Sequence, residues 1–162
     1  MKSIRHLCEL VRDSRGFGAM ELGLSLPFLM LLCLGMMDAS SLLSTKIDFE
    51  QAAQRTTDLA FARRPNSDNG AEYSAYVAEA KNAAGVDSDA VTVEIFLECD
   101  GERQDEFEGV CDAGEMPARF VNVVISDEVE TRFDWGSLVG LLGYEAFPET
   151  VTVTGDSLVR FQ

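Results

Sequence analysis

Along this chain apolar residues first crowd together, then thin to a stripe, then alternate with polar ones. From Phe17 to Met37 only Glu21, Ser25 and Pro27 fall outside the apolar-plus-glycine set. A helix of that length rises about 30 Å, the thickness of a bilayer's hydrocarbon layer. From Asp38 to Arg64 neither glycine nor proline intervenes. Leu42, Phe49, Ala52, Thr56 and Leu59 recur there at helical spacing, with Lys46, Asp48, Gln51, Arg55 and Asp58 off the stripe. The pattern predicts one long helix, membrane-spanning over 17–37 and amphipathic over 38–64.

The breaker cluster "RRPNSDNG" (Arg63–Gly70) should end that helix, and "AEYSAYVAEAKNAAG" (Ala71–Gly85) reads as a short second one closed by glycine. The period then changes to two. "VTVEIFLEC" places Val91, Val93, Ile95, Leu97 and Cys99 on one face, and "RFVNVVISDEV" does the same for Val121, Val123 and Ile125. "TVTVTGDSLVRF" keeps Val151, Val153, Val159 and Phe161 in phase, with Gly155 expected at a bulge or bend. Between the first two strands lies an acidic, turn-rich loop, Asp100–Pro117, and between the last two a short apolar helix, Trp135–Gly143, suited to packing on the sheet. The fold class is therefore α+β: a long N-terminal helix, then a small antiparallel sheet of about three strands with short helices.

Charge gives the chain a direction. The head, residues 1–16, carries Lys2, Arg5, Arg12 and Arg15 against Glu9 and Asp13. The head balances at +2 and Glu21 gives the span −1, so of the chain's net −15 residues 38–162 carry −16. A basic head before an apolar span keeps the N-terminus cytoplasmic and sends the acidic body across the membrane. An acidic body repels phosphates and excludes nucleic acid as a partner. Of the four cysteines, only Cys99 and Cys111 lie in the body, and an exported body with two cysteines reads as one disulfide. Closing the loop they bound would stabilise the body by roughly 3 kcal/mol in the chain-entropy model. Two free thiols in a cytosolic domain is the alternative.

Catalytic chemistry finds little to work with. His6, the one histidine, lies in the head, so the body has no histidine triad or histidine metal site. Neither Gly70 nor Gly101 fits the sixth position of a calcium loop, because the first position would be Pro65 or Phe96. The acids Glu102, Asp105, Glu106, Glu108 and Asp112 form either a solvated face or a loose Ca²⁺ site. No phosphate-binding, dinucleotide or nucleophile-elbow motif occurs. Phe96, Phe120, Phe133, Trp135 and Phe161 are expected in the core. The reading is non-enzymatic, with no cofactor and no catalytic or metal residues.

The start of the apolar run carries the sharpest signal. In "SRGFGAME" a basic leader ends at Gly16, Phe17 follows, and Glu21 is fifth after the glycine. This resembles a type IV prepilin processing site, and Arg15–Ala60 as a whole resembles the N-terminus of TadE-like proteins, pseudopilins or minor pilins of the tight-adherence (Flp, type IVb) pilus system. The closing strand, short helix and strand ending "SLVRFQ" echo the same family. The resemblance implies a prepilin-type leader over 1–16, a transmembrane helix over 17–37, an amphipathic continuation over 38–64 and a periplasmic domain over 65–162. It also implies cleavage between Gly16 and Phe17 by a prepilin peptidase, residence in a bacterial inner membrane, and association with other pilin or pseudopilin subunits and the pilus assembly platform. Incorporation into the pilus itself follows from the same likeness.

Cleavage would leave a Phe17 α-amino group, positive below a pKa of about 8, one helical turn from Glu21. A pair between them, within one helix or across two, would fix the axial register of packed helices. A carboxylate that snorkels to the headgroups is the alternative. Pro27 frees the carbonyl four residues earlier, at Gly23, which predicts a kink or local melting, with or without a role. Two other organisations fit the same pattern: a membrane-anchored periplasmic binding or scaffold domain unrelated to pili, and a secreted protein whose apolar run is a signal peptide.

Overall fold

The computed structural model describes residues 17–65, 70–141, 143 and 148–161. The leader with Gly16, and residues 66–69 of the breaker cluster, lie outside these. Two compact units divide the chain at Ser40–Ser41.

The first is helical. Helix α1 (Phe17–Arg63) begins in it and runs unbroken through Pro27. Its apolar window is 0% buried, and it is the one described helix long and apolar enough to cross a membrane. That is compatible with single-pass anchoring.

The second unit, Ser41–Gln162, is an α+β domain. It takes the C-terminal part of α1, then α2 (Gly70–Ala84), a 3₁₀ turn (Ser88–Ala90), β1 (Val91–Cys99), β2 (Glu102–Arg103), β3 (Pro117–Glu130), α3 (Trp135–Leu141) and β4 (Thr150–Arg160). The four strands lie in the order β2-β1-β3-β4, every neighbouring pair antiparallel. α1 ends at Arg64, whose φ of 51° turns the chain before Pro65. α2 ends at Gly85 (φ 72°), and the amides of Gly85 and Val86 both return to the Lys81 carbonyl. Glycine takes that left-handed C-terminal position without steric cost.

The register explains the core. Val93 faces Val123 and Ile95 faces Val121, while Ile125 faces Gly155 and Val121 faces Val159. Odd-numbered residues of all three long strands therefore share one face. Onto that face pack Phe49, Ala52, Ala53 and Ala60 of α1 with Tyr76 and Ala80 of α2, all buried. The α1 surface here is built of small side chains, so the helix comes close to the sheet. Its buried hydroxyls are satisfied: Thr56 Oγ1 donates to the Ala52 carbonyl at 2.9 Å, and Thr57 Oγ1 shares a 3.0 Å bond with Ser157 Oγ of β4.

Gly155 sits at the closest approach. A β-carbon placed on it would lie 2.6 Å from the Glu50 nitrogen and from the carbonyl carbon and Cβ of Phe49. The β3–β4 ladder keeps one register from Phe120↔Arg160 to Glu130↔Thr150, so no bulge occurs. The expected bulge or bend is corrected: glycine stands here because a helix backbone presses on the strand.

The sheet also has four strands rather than three. β2 pairs Glu102 with Cys99 across the two-residue turn Asp100–Gly101, whose φ values are 51° and 89°. Two positive φ values in an Asp-Gly pair make the type I′ hairpin turn. Gly101 serves this hairpin.

Candidate functional site

Glu21 lies in the second turn of α1, exposed, one turn along from Phe17. A rise of about 1.5 Å per residue sets their backbones roughly 6 Å apart along the axis. Nearby, Ser25 Oγ donates to the Leu22 carbonyl at 3.2 Å. The glycines Gly18 and Gly23 have nothing within 4 Å of where a β-carbon would stand. The leading stretch of α1 thus presents an apolar surface carrying one carboxylate. The apolar side chains Met20, Leu22, Leu24, Phe28, Met30, Met36 and Met37 are all exposed.

The structure joins Cys99 to Cys111 in a disulfide with a Cα–Cα distance of 5.6 Å. The bond pins residues 104–116 back over the odd face of the sheet. There Phe107 and Leu97 are buried, and Phe107 lies 6.2 Å from the Phe161 ring. Arg119 stacks its guanidinium 5.5 Å from the Phe107 ring centre and donates to the carbonyls of Phe107 and Gly109, each at 3.4 Å. Cys111→Ser is expected to lower the domain's stability by about 3 kcal/mol, since the open loop gains freedom in the unfolded chain. Denaturant midpoints of the oxidised and reduced protein would measure it. Equal midpoints would mean that the Phe107 packing alone holds the loop.

The acids of this loop stay in solvent, with Glu102, Asp105, Glu106, Glu108 and Asp112 all exposed. Their neighbours use carboxylates as turn acceptors: Met116 N–H donates to Asp100 Oδ1 at 3.0 Å and Asp112 N–H to Glu115 Oε2 at 3.1 Å. Among the described residues, the one group of potential ligands close enough to share an ion is Cys99, Cys111 and Glu115. Its two sulfurs are bonded to each other. A shallow cleft of about 360 Å³ is lined by Asp87, Asp89, Asp127 and Glu128, but these carboxylates do not converge to ligating distance.

The aromatic residues divide otherwise than expected. Phe161 packs against the core. Phe96 and Phe120, however, are even-numbered and stand on the opposite face of the sheet. Their rings stack at 5.4 Å and the Arg103 guanidinium lies 4.2 Å from Phe96. Arg103 also bonds Glu94 at 3.2 Å. The period of two that buries Val93 and Leu97 turns Phe96 outward between them. Phe133 and Trp135 are half-buried and meet edge to face at 4.8 Å. They stand at the start of α3, where Ser137 N–H donates to Asp134 Oδ1 at 2.9 Å and the Ser137 hydroxyl bonds Oδ2. These bonds to its charged form hold the Asp134 carboxyl below the usual range. The cap therefore persists at and above the ordinary aspartate range and is lost only as pH falls through the lowered value.

A family model described as TadE-like protein matches residues 16–58. No curated protein and no solved structure matches the chain. The matched segment starts at the glycine before Phe17, takes in Glu21 and Pro27, and stops at Asp58, before α1 ends.

Proposed function

We propose that this protein is a minor pilin or pseudopilin of a tight-adherence pilus system, anchored in the inner membrane by α1, with the acidic domain in the periplasm. The observation that supports this most is the TadE-like match, which covers the apolar helix together with Gly16 and Glu21. A largely exposed apolar helix surface suits packing against equivalent helices of other subunits, in lipid or in a filament. The role is structural: the chain takes part in initiating or assembling a pilus used in adherence. Prepilin peptidase removes the leader after Gly16, and the new Phe17 ammonium pairs with Glu21 when helices pack.

Glu21→Ala separates assembly from folding. The residue lies on the exposed surface of α1 outside the α+β domain, so that domain's stability should not change. Removing a carboxylate also eases insertion into lipid. The Phe17 ammonium of a packed helix then lacks its partner, at a cost of a few kcal/mol in a buried setting. Expected are normal insertion, normal processing and weakened co-purification with other pilus subunits. Co-purification at the wild-type level would make Glu21 an interfacial carboxylate with no part in assembly, as in a simple membrane-anchored scaffold.

A further inference from the structure

The two edges of the sheet differ. At the outer side of β1, the β2 hairpin pairs with Glu98 and Cys99, and Gln104 N–H donates to the Leu97 carbonyl. β4 closes the other side, and hydrogen bonds at its two ends fix which of its backbone groups face outward. Phe161 N–H donates to the Arg119 carbonyl and Thr131 N–H to the Glu149 carbonyl, each at 3.0 Å. Both pairs fall in the register of the β3–β4 ladder. Alternation along an antiparallel pair then directs the amides and carbonyls of odd residues to β3, and those of Thr152, Thr154, Asp156, Leu158 and Arg160 to the open edge. Lys46 agrees: its Nζ donates to the Thr154 carbonyl at 3.2 Å. An ammonium so placed guards the first half of the edge against pairing.

The second half is self-complementary. Asp156, Leu158 and Arg160 are exposed, Leu158 to 56%. We propose that two copies of this chain pair antiparallel through the C-terminal half of β4, about a two-fold axis at Leu158. That register sets Leu158 against Leu158 and each Asp156 against the other copy's Arg160. Confined to Asp156–Arg160, the pairing stops short of the Thr154 that Lys46 holds and joins two sheets into one, with roughly six new main-chain hydrogen bonds. Opposite charges directly across an antiparallel pair stabilise it, and like charges there oppose it. A pairing centred two residues earlier would set Asp156 against Asp156 and collide with Lys46 at Thr154. The choice of a second copy rests on this charge match, which an unrelated strand would not supply. Within one copy Arg160 donates to the Pro117 carbonyl of β3 at 3.3 Å, so its guanidinium turns outward to meet the other copy's Asp156 as the pair forms. The pairing goes beyond the pilus reading and does not depend on it.

The test uses the full chain in membranes, with Cys33→Ser removing the free thiol. Leu158→Cys should form a disulfide-linked homodimer on mild oxidation, while Thr152→Cys, which this register sets far from the other copy's Thr152, should stay monomeric. Asp156→Arg or Arg160→Asp alone should cut the Leu158→Cys yield at least five-fold, because each sets like charges opposite. Differently tagged Asp156→Arg and Arg160→Asp chains expressed together should recover the yield as a mixed dimer, since both charge pairs are then opposite again. Equal crosslinking at positions 152 and 158 would overturn the proposal, as would failure of the mixture to recover. Capture of Leu158→Cys by a different protein alone would overturn it too.

Discussion

Gly155→Ala is expected to destabilise the α+β domain by about 3 kcal/mol, a larger effect than an exposed strand position normally gives. The added β-carbon would lie 2.6 Å from backbone atoms of Phe49 and Glu50, and those atoms belong to a helix packed across the sheet. Relief requires the helix to lift from the strand. That would loosen Phe49, Ala52 and Ala53 together and strain the Thr57–Ser157 hydrogen bond. The single tryptophan, Trp135, reports unfolding by fluorescence in a denaturant titration of the detergent-solubilised chain. Gly140→Ala is the control: it is exposed in α3, with nothing within 4 Å of its β-carbon position, and should leave stability unchanged or raise it by up to about 1 kcal/mol. A Gly155→Ala protein as stable as the wild type would mean that helix and strand are not in contact at this point.

The second large effect concerns maturation. Gly16→Leu is expected to abolish removal of the leader, because a side chain at that position crowds the peptidase's approach to the peptide bond before Phe17. In cells with an active prepilin peptidase the variant should keep the mass of the full chain, while the wild type loses residues 1–16. The α+β domain, remote in sequence and with its own core, should fold alike in both. Identical mature masses would end the processing claim.

Much of the fold was legible because its periods are clean. Alternation in "VTVEIFLEC" gave β1 with its ends, and the stripe through Phe49, Ala52 and Thr56 gave the helix face that meets the sheet. What escaped had weak or local signals. β2 is two residues long and offers no period at all; its trace was the Asp-Gly pair, obscured by the acids around it. Phe96 and Phe120 look like core residues by type, although the parity of their own strands turns them outward. Ala53 and Ala60 are fully buried and Thr57 nearly so, but small side chains do not stand out in an apolar stripe. Gly155 reads as a bend in sequence because a strand gives no sign of the helix that will lie across it.

For the candidate site the balance is reversed. Glu21 and Pro27 were conspicuous as exceptions within an apolar run, and Cys99 and Cys111 as the two cysteines of an acidic body. The disulfide follows once the hairpin at Asp100–Gly101 brings the start of the loop back beside its end. The β4 edge was invisible, since which backbone groups face outward depends on the hydrogen-bond phase of the ladder rather than on residue type.

The N-terminal residue of the mature protein, read by sequencing of the chain purified from its own membranes, tests the account most directly. Phe17 is the expected residue. Met1 would contradict it and leave an uncleaved membrane anchor; a residue near Ser40 would contradict it and make the apolar run a signal peptide.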